Sequence, residues 1–197
     1  MVWLGLVLFL AVAVAVVRGG RLTNLADIRL RLWWLLPLGF LLQAGTILLP
    51  DDRSWGPTLG VAMVLFSYVP LIVVVLLNRE RAGMWLTGVG ILMNFTVIAL
   101  NGAMPVLSEA AQVAGGFADQ VALRDDYKHV ILDSTSRLAF LADVIPLRIF
   151  GQGQVISLGD VFLAVGLGRF LEAELRKPVR WFKSGVKAKA GSAAGGR

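Results

Sequence analysis

Residues 84–106, MWLTGVGILMNFTVIALNGAMPV, carry no charged side chain, and an apolar run of that length is what a helix needs to cross the hydrocarbon of a bilayer. Asn94 interrupts the run and Asn101 ends it. Their spacing of seven residues is close to two helical turns, so both amides lie on one helix face, roughly 10 Å apart along the axis. Gly102 and Pro105 follow at once and stop the helix, since glycine suits a helix end and proline cannot continue one.

Four more apolar segments, at about 1–17, 33–49, 57–77 and 155–171, make a chain of five spans. The overall balance agrees: 57% of residues are hydrophobic, 16% are charged and mean hydropathy is +0.74, outside the range of a soluble domain. The expected fold is therefore an all-α, five-helix polytopic bundle over residues 1–172. A basic tail, 173–197, follows it, rich in Gly, Ala and Lys and expected to be partly disordered.

Sidedness of charge sets the threading. The segments after the first and third spans hold four and two Lys and Arg and the chain from Arg169 onward holds eight, whereas the segments after the second and fourth spans hold one and four. Cytoplasmic loops carry the excess of basic residues, so the N-terminus is expected outside and the C-terminus inside. The first run is followed by Arg18 and Arg21 instead of being preceded by basic residues, which favours a retained helix over a signal peptide. Asn24 with Asp27 reads as a helix start, giving a short surface helix over Leu25–Leu32. The net charge of +6 lies beside apolar segments without aromatic interleaving, so it points to anionic lipid and not to nucleic acid.

The long outer loop, 101–154, is expected to contain two helices. Val106, Ala110, Val113, Phe117 and Val121 share one face of an amphipathic helix over 106–124. Leu138, Leu141, Ala142 and Ile145 cluster on a second, over 134–145, which Pro146 ends. The fifth span opens with Ser157, Gly159 and Asp160.

With this threading Gln43, Asn94, Asn101, Ser157 and Asp160 lie in the outer half of the bilayer or at its edge, and Asp143 joins them if the loop folds over the bundle. Ionisable groups at that depth face a partner, a cavity or water. They form the candidate site, with Gly102, Pro105 and Gly159 as turn residues. The plainer reading is that these groups only fix helix packing and tether the loop. His129, the single histidine, stands near Asp125, Asp126 and Asp133, an arrangement that most often means an exposed loop. The absence of cysteine excludes disulfides, thiolate metal sites and a thiol nucleophile, and one His without Cys makes a metal centre unexpected. No P-loop, dinucleotide fingerprint or Gly-x-Ser-x-Gly elbow occurs, so the cofactor is unknown.

The strings GGRLTNLA, NGAMPV, LADVIPL and SLGDVFLAVG occur in that order. Together they make residues from about Val2 to Gly168 resemble the bacterial membrane-protein family catalogued as domain of unknown function fifty-three seventeen. The resemblance implies a multi-pass protein of the bacterial plasma membrane and supplies no activity. It also implies that Asn94, Asn101, Gly102, Met104, Pro105, Asp143, Ser157, Gly159 and Asp160 occupy the family's recurring polar and turn positions. Three function classes stay open. The first is a non-catalytic component that binds the bilayer and another membrane protein or a second copy. The second is an enzyme or binder acting on a lipid-linked or amphiphilic molecule, with Asp143 and Asp160 as working groups. The third is a small transporter or channel subunit.

Overall fold

The computed structural model describes residues 2–49, 55–115 and 128–178. The chain is mostly helical. Two helices, α3 (Gly56–Leu77) and α4 (Met84–Asn101), are long and apolar enough to cross a membrane. α1 (Val2–Val17) is apolar and shorter; α2 (Leu35–Ala44) is extended by a 3-10 turn to Leu48. The last helix, α6 (Leu158–Leu175), packs most closely with α4 and α1.

Glycine governs the α4–α6 contact. A Cβ on Gly90 would stand 2.4 Å from the Gly159 carbonyl oxygen, and one on Gly83 would stand 2.0 Å from the Gly166 carbonyl oxygen. Such backbone-to-backbone approach is how helices associate where hydrophobic burial gives no drive between them. A Cβ on Gly168 would stand 3.5 Å from Val7 and Ala11 of α1, ordinary van der Waals distance, so a single helix carries small residues toward two neighbours. At the opposite end of α6 from Ser157, the buried Glu172 accepts from Arg18, Arg169 and Arg176 at 2.9–3.0 Å, and Glu174 accepts from Arg81 at 3.0 Å.

Between α4 and α6 the chain builds a small strand cap where the sequence predicts helices. β1 (Met104–Val106) pairs in parallel with β2 (His129–Ile131), and Val106 also bridges to Asp143 on its other side. α5 (Ser108–Ala114) is short and is closed by Gly115 at φ +143°. β3 (Ile145–Ile149) and β4 (Gln152–Ile156) form an antiparallel hairpin through Phe150 and Gly151, both at positive φ, the combination a two-residue turn between twisted strands requires.

Several expectations are corrected. The all-α reading gives way to a mostly helical fold with four short strands among the described residues. The helix expected over 106–124 covers only Ser108–Ala114 within the described residues, because backbone groups of 104–107 are paired on both sides, to Lys128 and Leu132 and to Asp143. Of its expected apolar face only Val106 and Ala110 are buried, packed with Ala111, Ala114 and Val155, whereas Val113 is exposed and Phe117 and Val121 lie outside the described residues. Over 134–145 only Ala139–Leu141 is helical, as one 3-10 turn, since Leu138 adopts φ +55° and Asp133 caps a local turn through Thr135 and Ser136. The surface helix over 25–32 is a 3-10 turn at Leu22–Asp27; Asn24 lies inside it, buried, donating to the carbonyls of Leu175 and Lys177 at 2.8 Å. The last helix begins at Leu158 and not at Val155, and runs beyond 171 to Leu175. The tail from 179, together with Asp125 and Asp126, lies outside the described residues.

Candidate functional site

The site grows from the start of α6. Ser157, in extended backbone, caps the helix: its hydroxyl accepts from the Asp160 backbone N–H at 3.1 Å, and the Asp160 carboxylate accepts from the Ser157 N–H at 3.0 Å. This reciprocal box satisfies two backbone donors that a helix start leaves without partners. Asn94 of α4 locks onto it. Its Nδ2 donates to Asp160 Oδ1 at 2.8 Å, and its Oδ1 accepts from the Ser157 hydroxyl at 3.0 Å. Gly159 is required beside this bond, since a Cβ there would fall 1.9 Å from Asn94 Oδ1.

Asn94, Ser157 and Asp160 are thus brought together as expected, and every polar atom among them in this network has a protein partner. Asn101 is not part of it. Its amide donates to the carbonyls of Val97 and Arg137 and accepts from the Arg137 N–H at 2.7 Å, pinning the loop above the helix end. Gly102 takes φ +77° as the residue that closes α4, and Pro105 is buried in β1.

Beside the Asn94–Asp160 bond opens a cavity of about 550 Å³. Its walls come from Trp3 and Leu4 of α1, Gln43 of α2, Tyr68 of α3, Asn94 and Ile98 of α4, and Asp160 and Leu163 of α6. The strand cap roofs it with Met104, Lys128, His129, Asp143 and residues 153–156. Gln43 and Asp143 therefore join the site. Asp143 is held by its backbone, which donates to the Pro105 carbonyl and accepts from the Leu107 N–H, both at 2.9 Å. The residue is 6% exposed, and its Oδ1 is buried without a hydrogen-bond partner. Oδ2 lies 3.9 Å from His129 Nε2, within ion-pair reach when the imidazole is protonated. The indole Nε1 of Trp3 is the other buried polar side-chain atom without a partner among the described residues.

Burial, reinforced by the charge of Asp160 and partly offset by His129, pushes the Asp143 carboxyl up from 3.8 to about 7. A raised folded-state value means that the folded protein retains the proton that the unfolded chain releases. Asp143 therefore contributes stability below about pH 4 and loses it as pH rises through 7. Thermal unfolding of the wild type in detergent is expected to shift downward between pH 5 and pH 8 relative to Asp143→Asn, with His129, Lys128, Tyr68 and Asp160 unchanged in both. Parallel profiles would contradict this assignment.

Trp3, Tyr68, Lys128 and His129 are not among the residues singled out from the sequence for this recess. Trp3 sits in a featureless apolar run, and Tyr68 reads as a packing residue beside Ser67 and Pro70. His129 had a visible signal as the single histidine, but the expected neighbours were Asp125, Asp126 and Asp133. Asp133 is exposed and bound to Thr135 and Ser136, while Asp143 is the carboxylate that β-pairing brings to the histidine. No cluster of three or more metal-ligating side chains occurs among the described residues.

The model of a family described as a family of unknown function (DUF5317) matches residues 27–171. An uncharacterized protein of Thermotoga maritima is 31% identical over 107 residues, a match covering 53% of this chain and 60% of that protein's length. No solved structure matches the chain.

Proposed function

The chain belongs to the family of unknown function DUF5317, and from that premise we propose that it is a multi-pass membrane protein that binds a small amphiphilic molecule in the cavity beneath its strand cap. The helices cross the membrane five times in this reading, with the N-terminus outside. The cavity then opens in the outer half of the bilayer, where the start of α6 and the end of α4 meet. The observation that carries the proposal is a cavity of about 550 Å³ whose lining is mostly apolar and includes a few polar side chains, Gln43, Asn94, Asp143 and Asp160. Binding sites are mostly apolar concavities with a few placed polar groups, and this volume falls in their usual range.

A non-catalytic component docking on a second membrane protein is supported less well. Small residues that could form a docking edge are occupied within the chain: Gly83 faces Gly166, Gly90 faces Gly159, and Gly56 and Gly60 of α3 are buried. A transporter or channel subunit finds equally little support, because the polar groups of α4 and α6 bond each other instead of lining a path.

The test uses the natural lack of cysteine. In intact cells Ser134→Cys, the sole thiol, is expected to react with an impermeant maleimide. The same preparation, purified in mild detergent, is expected to retain an amphiphile identifiable by mass spectrometry, and Asp143→Leu to release it. Labelling only after lysis would end the threading, and a wild type that retains no such molecule would end the binding assignment.

A further inference from the structure

We propose that the end of α6 away from the cavity binds the phosphodiester head group of an anionic phospholipid, with Arg18, Arg169 and Arg176 as the donors. This site is independent of the cavity and shares with the amphiphile reading only the placement of the chain in a bilayer. The three guanidinium groups meet on one acid. Arg18 and Arg176 each donate from Nη1 to Glu172 Oε1 at 3.0 Å, and Arg169 donates from Nη1 to Oε2 at 2.9 Å. Glu172 is buried, whereas the side chains of Arg18, Arg169 and Arg176 are 54%, 60% and 42% exposed. A guanidinium carries five N–H donors. Each of these arginines uses one on Glu172, and among the described residues they form no other hydrogen bond, so most of their donors are left for a ligand.

One carboxylate cannot neutralise three arginines, and beside it Glu174 is shared by Arg81 and Lys177, so both acids leave positive charge in excess. The loops at this end add Arg21, Arg29, Arg31 and Arg79 against Asp27 and Glu80. They are tied to it by the Arg21 N–H on the Leu175 carbonyl, Asn78 on Arg31 and Arg81 on the Arg29 carbonyl. Unpinned, three like charges would spread apart. Glu172 holds them together, so a phosphate meets donors already in place and binding costs less ordering. Planar guanidinium forks also match phosphate oxygens in pairs.

The apolar surroundings favour a lipid over a soluble phosphate. Leu10, Val14 and Val17 of α1, at helical spacing, are exposed and lead to Arg18, while Val165 of α6 is exposed one turn before Arg169. The two helices run parallel, since Gly168 lies beside Val7 and Ala11, Glu172 beside Arg18 and Leu175 beside Arg21. Arg18 and Arg169 therefore each stand at the foot of an apolar stripe, as a head group stands at the end of its acyl chains.

Full-length protein in a neutral detergent at pH 7 is titrated with dioleoylphosphatidylglycerol and dioleoylphosphatidylcholine, and the bound fraction is read by native mass spectrometry. The anionic lipid is expected to bind about tenfold more tightly than the zwitterionic one, whose choline meets the arginines with like charge. Glycerol 1-phosphate, the same phosphate without chains, is expected to leave lipid binding unchanged when present in excess. Arg169→Gln is expected to lower the affinity for phosphatidylglycerol about fivefold, and Arg18→Gln combined with it to remove the preference between the two lipids. Arg79→Gln, which removes an exposed arginine at the same end but outside the cluster, is expected to change that affinity by less than about twofold. Arg169→Gln leaves Glu172 its bonds from Arg18 and Arg176, so it carries the test should the paired variant fail to fold. Equal affinity for the two lipids would overturn the proposal. A loss at Arg79→Gln as large as at Arg169→Gln would also do so, by showing diffuse surface charge in place of a defined site, and competition by glycerol 1-phosphate would overturn the assignment to a lipid. None of these outcomes bears on the cavity, whose amphiphile is tested through Asp143→Leu.

Discussion

Gly83→Ala and Gly90→Ala are each expected to cut the yield of folded protein severalfold. At Gly90 the added carbon meets the Gly159 carbonyl oxygen at 2.4 Å and the Leu163 nitrogen at 2.6 Å, both backbone atoms that no rotamer change moves aside. At Gly83 the carbon meets the Gly166 carbonyl oxygen, and φ is +79°. A left-handed residue with a side chain costs about 1–2 kcal/mol and overpacking about 1–3 kcal/mol, so Gly83→Ala, which incurs both, is expected to lose roughly 2–5 kcal/mol and Gly90→Ala, which incurs only the second, roughly 1–3 kcal/mol. Size-exclusion profiles and thermal midpoints in one detergent measure the loss. Wild-type midpoints in both variants would mean that α4 and α6 do not approach this closely. Gly5→Ala is the matched control, since nothing lies within 4 Å of the position its Cβ would take.

The second large effect separates architecture from binding at the carboxylates. Asp160→Ala removes the acceptor for the Ser157 N–H and for Asn94 Nδ2, so the capping box loses its reciprocal half and two donors are left without a partner, while the Ser157 hydroxyl still caps the helix. Each buried donor left unpaired costs about 1–3 kcal/mol, so a loss of roughly 2–4 kcal/mol is expected. Asp160→Asn keeps one carbonyl acceptor but turns an NH2 toward the other donor, and about half of the loss is expected to return. Asp143→Asn, by contrast, is expected to accumulate like the wild type at pH 7, since its side chain contributes no hydrogen bond through Oδ1. Normal abundance and thermal midpoint for Asp160→Ala would overturn this division and move Asp160 from scaffold to ligand contact.

The division was partly readable beforehand. Hydrophobic length located α1, α3 and α4, and the depth of Asn94 and Asp160 along antiparallel helices placed the two side by side. Asn101, on the same helix face as Asn94, read as a companion. The two turns of helix between them carry it past the cavity to Arg137 instead. Asp143 was conditional on how the loop folded, and its place depends on a bridge to Val106, a pairing 37 residues distant that no local pattern encodes.

The strands were more legible than the helical reading allowed. In 145–149 apolar Ile145, Leu147 and Ile149 alternate with Pro146 and Arg148, the period-two pattern of a strand. Val130 and Ile131 are β-branched neighbours of His129. The apolar spacing of Leu138, Leu141, Ala142 and Ile145 matches a helix as well. The backbone decides against it, because Leu138 in the left-handed region ends any helical run there. Trp3 carried no polar signal at all, for an indole in an apolar segment differs from its neighbours only by one N–H.

The far end of α6 has a consequence for how the protein is made. Asn24 reaches across 151 residues of sequence to the Leu175 carbonyl, and Arg18 across 154 to Glu172. While the ribosome is still producing the middle of the polypeptide, α1 has emerged without the neighbour that fastens it. The newborn segment must wait until nearly the last described residues arrive, so the packing of α1 on α6 and completion of the Trp3 wall are late events in biogenesis.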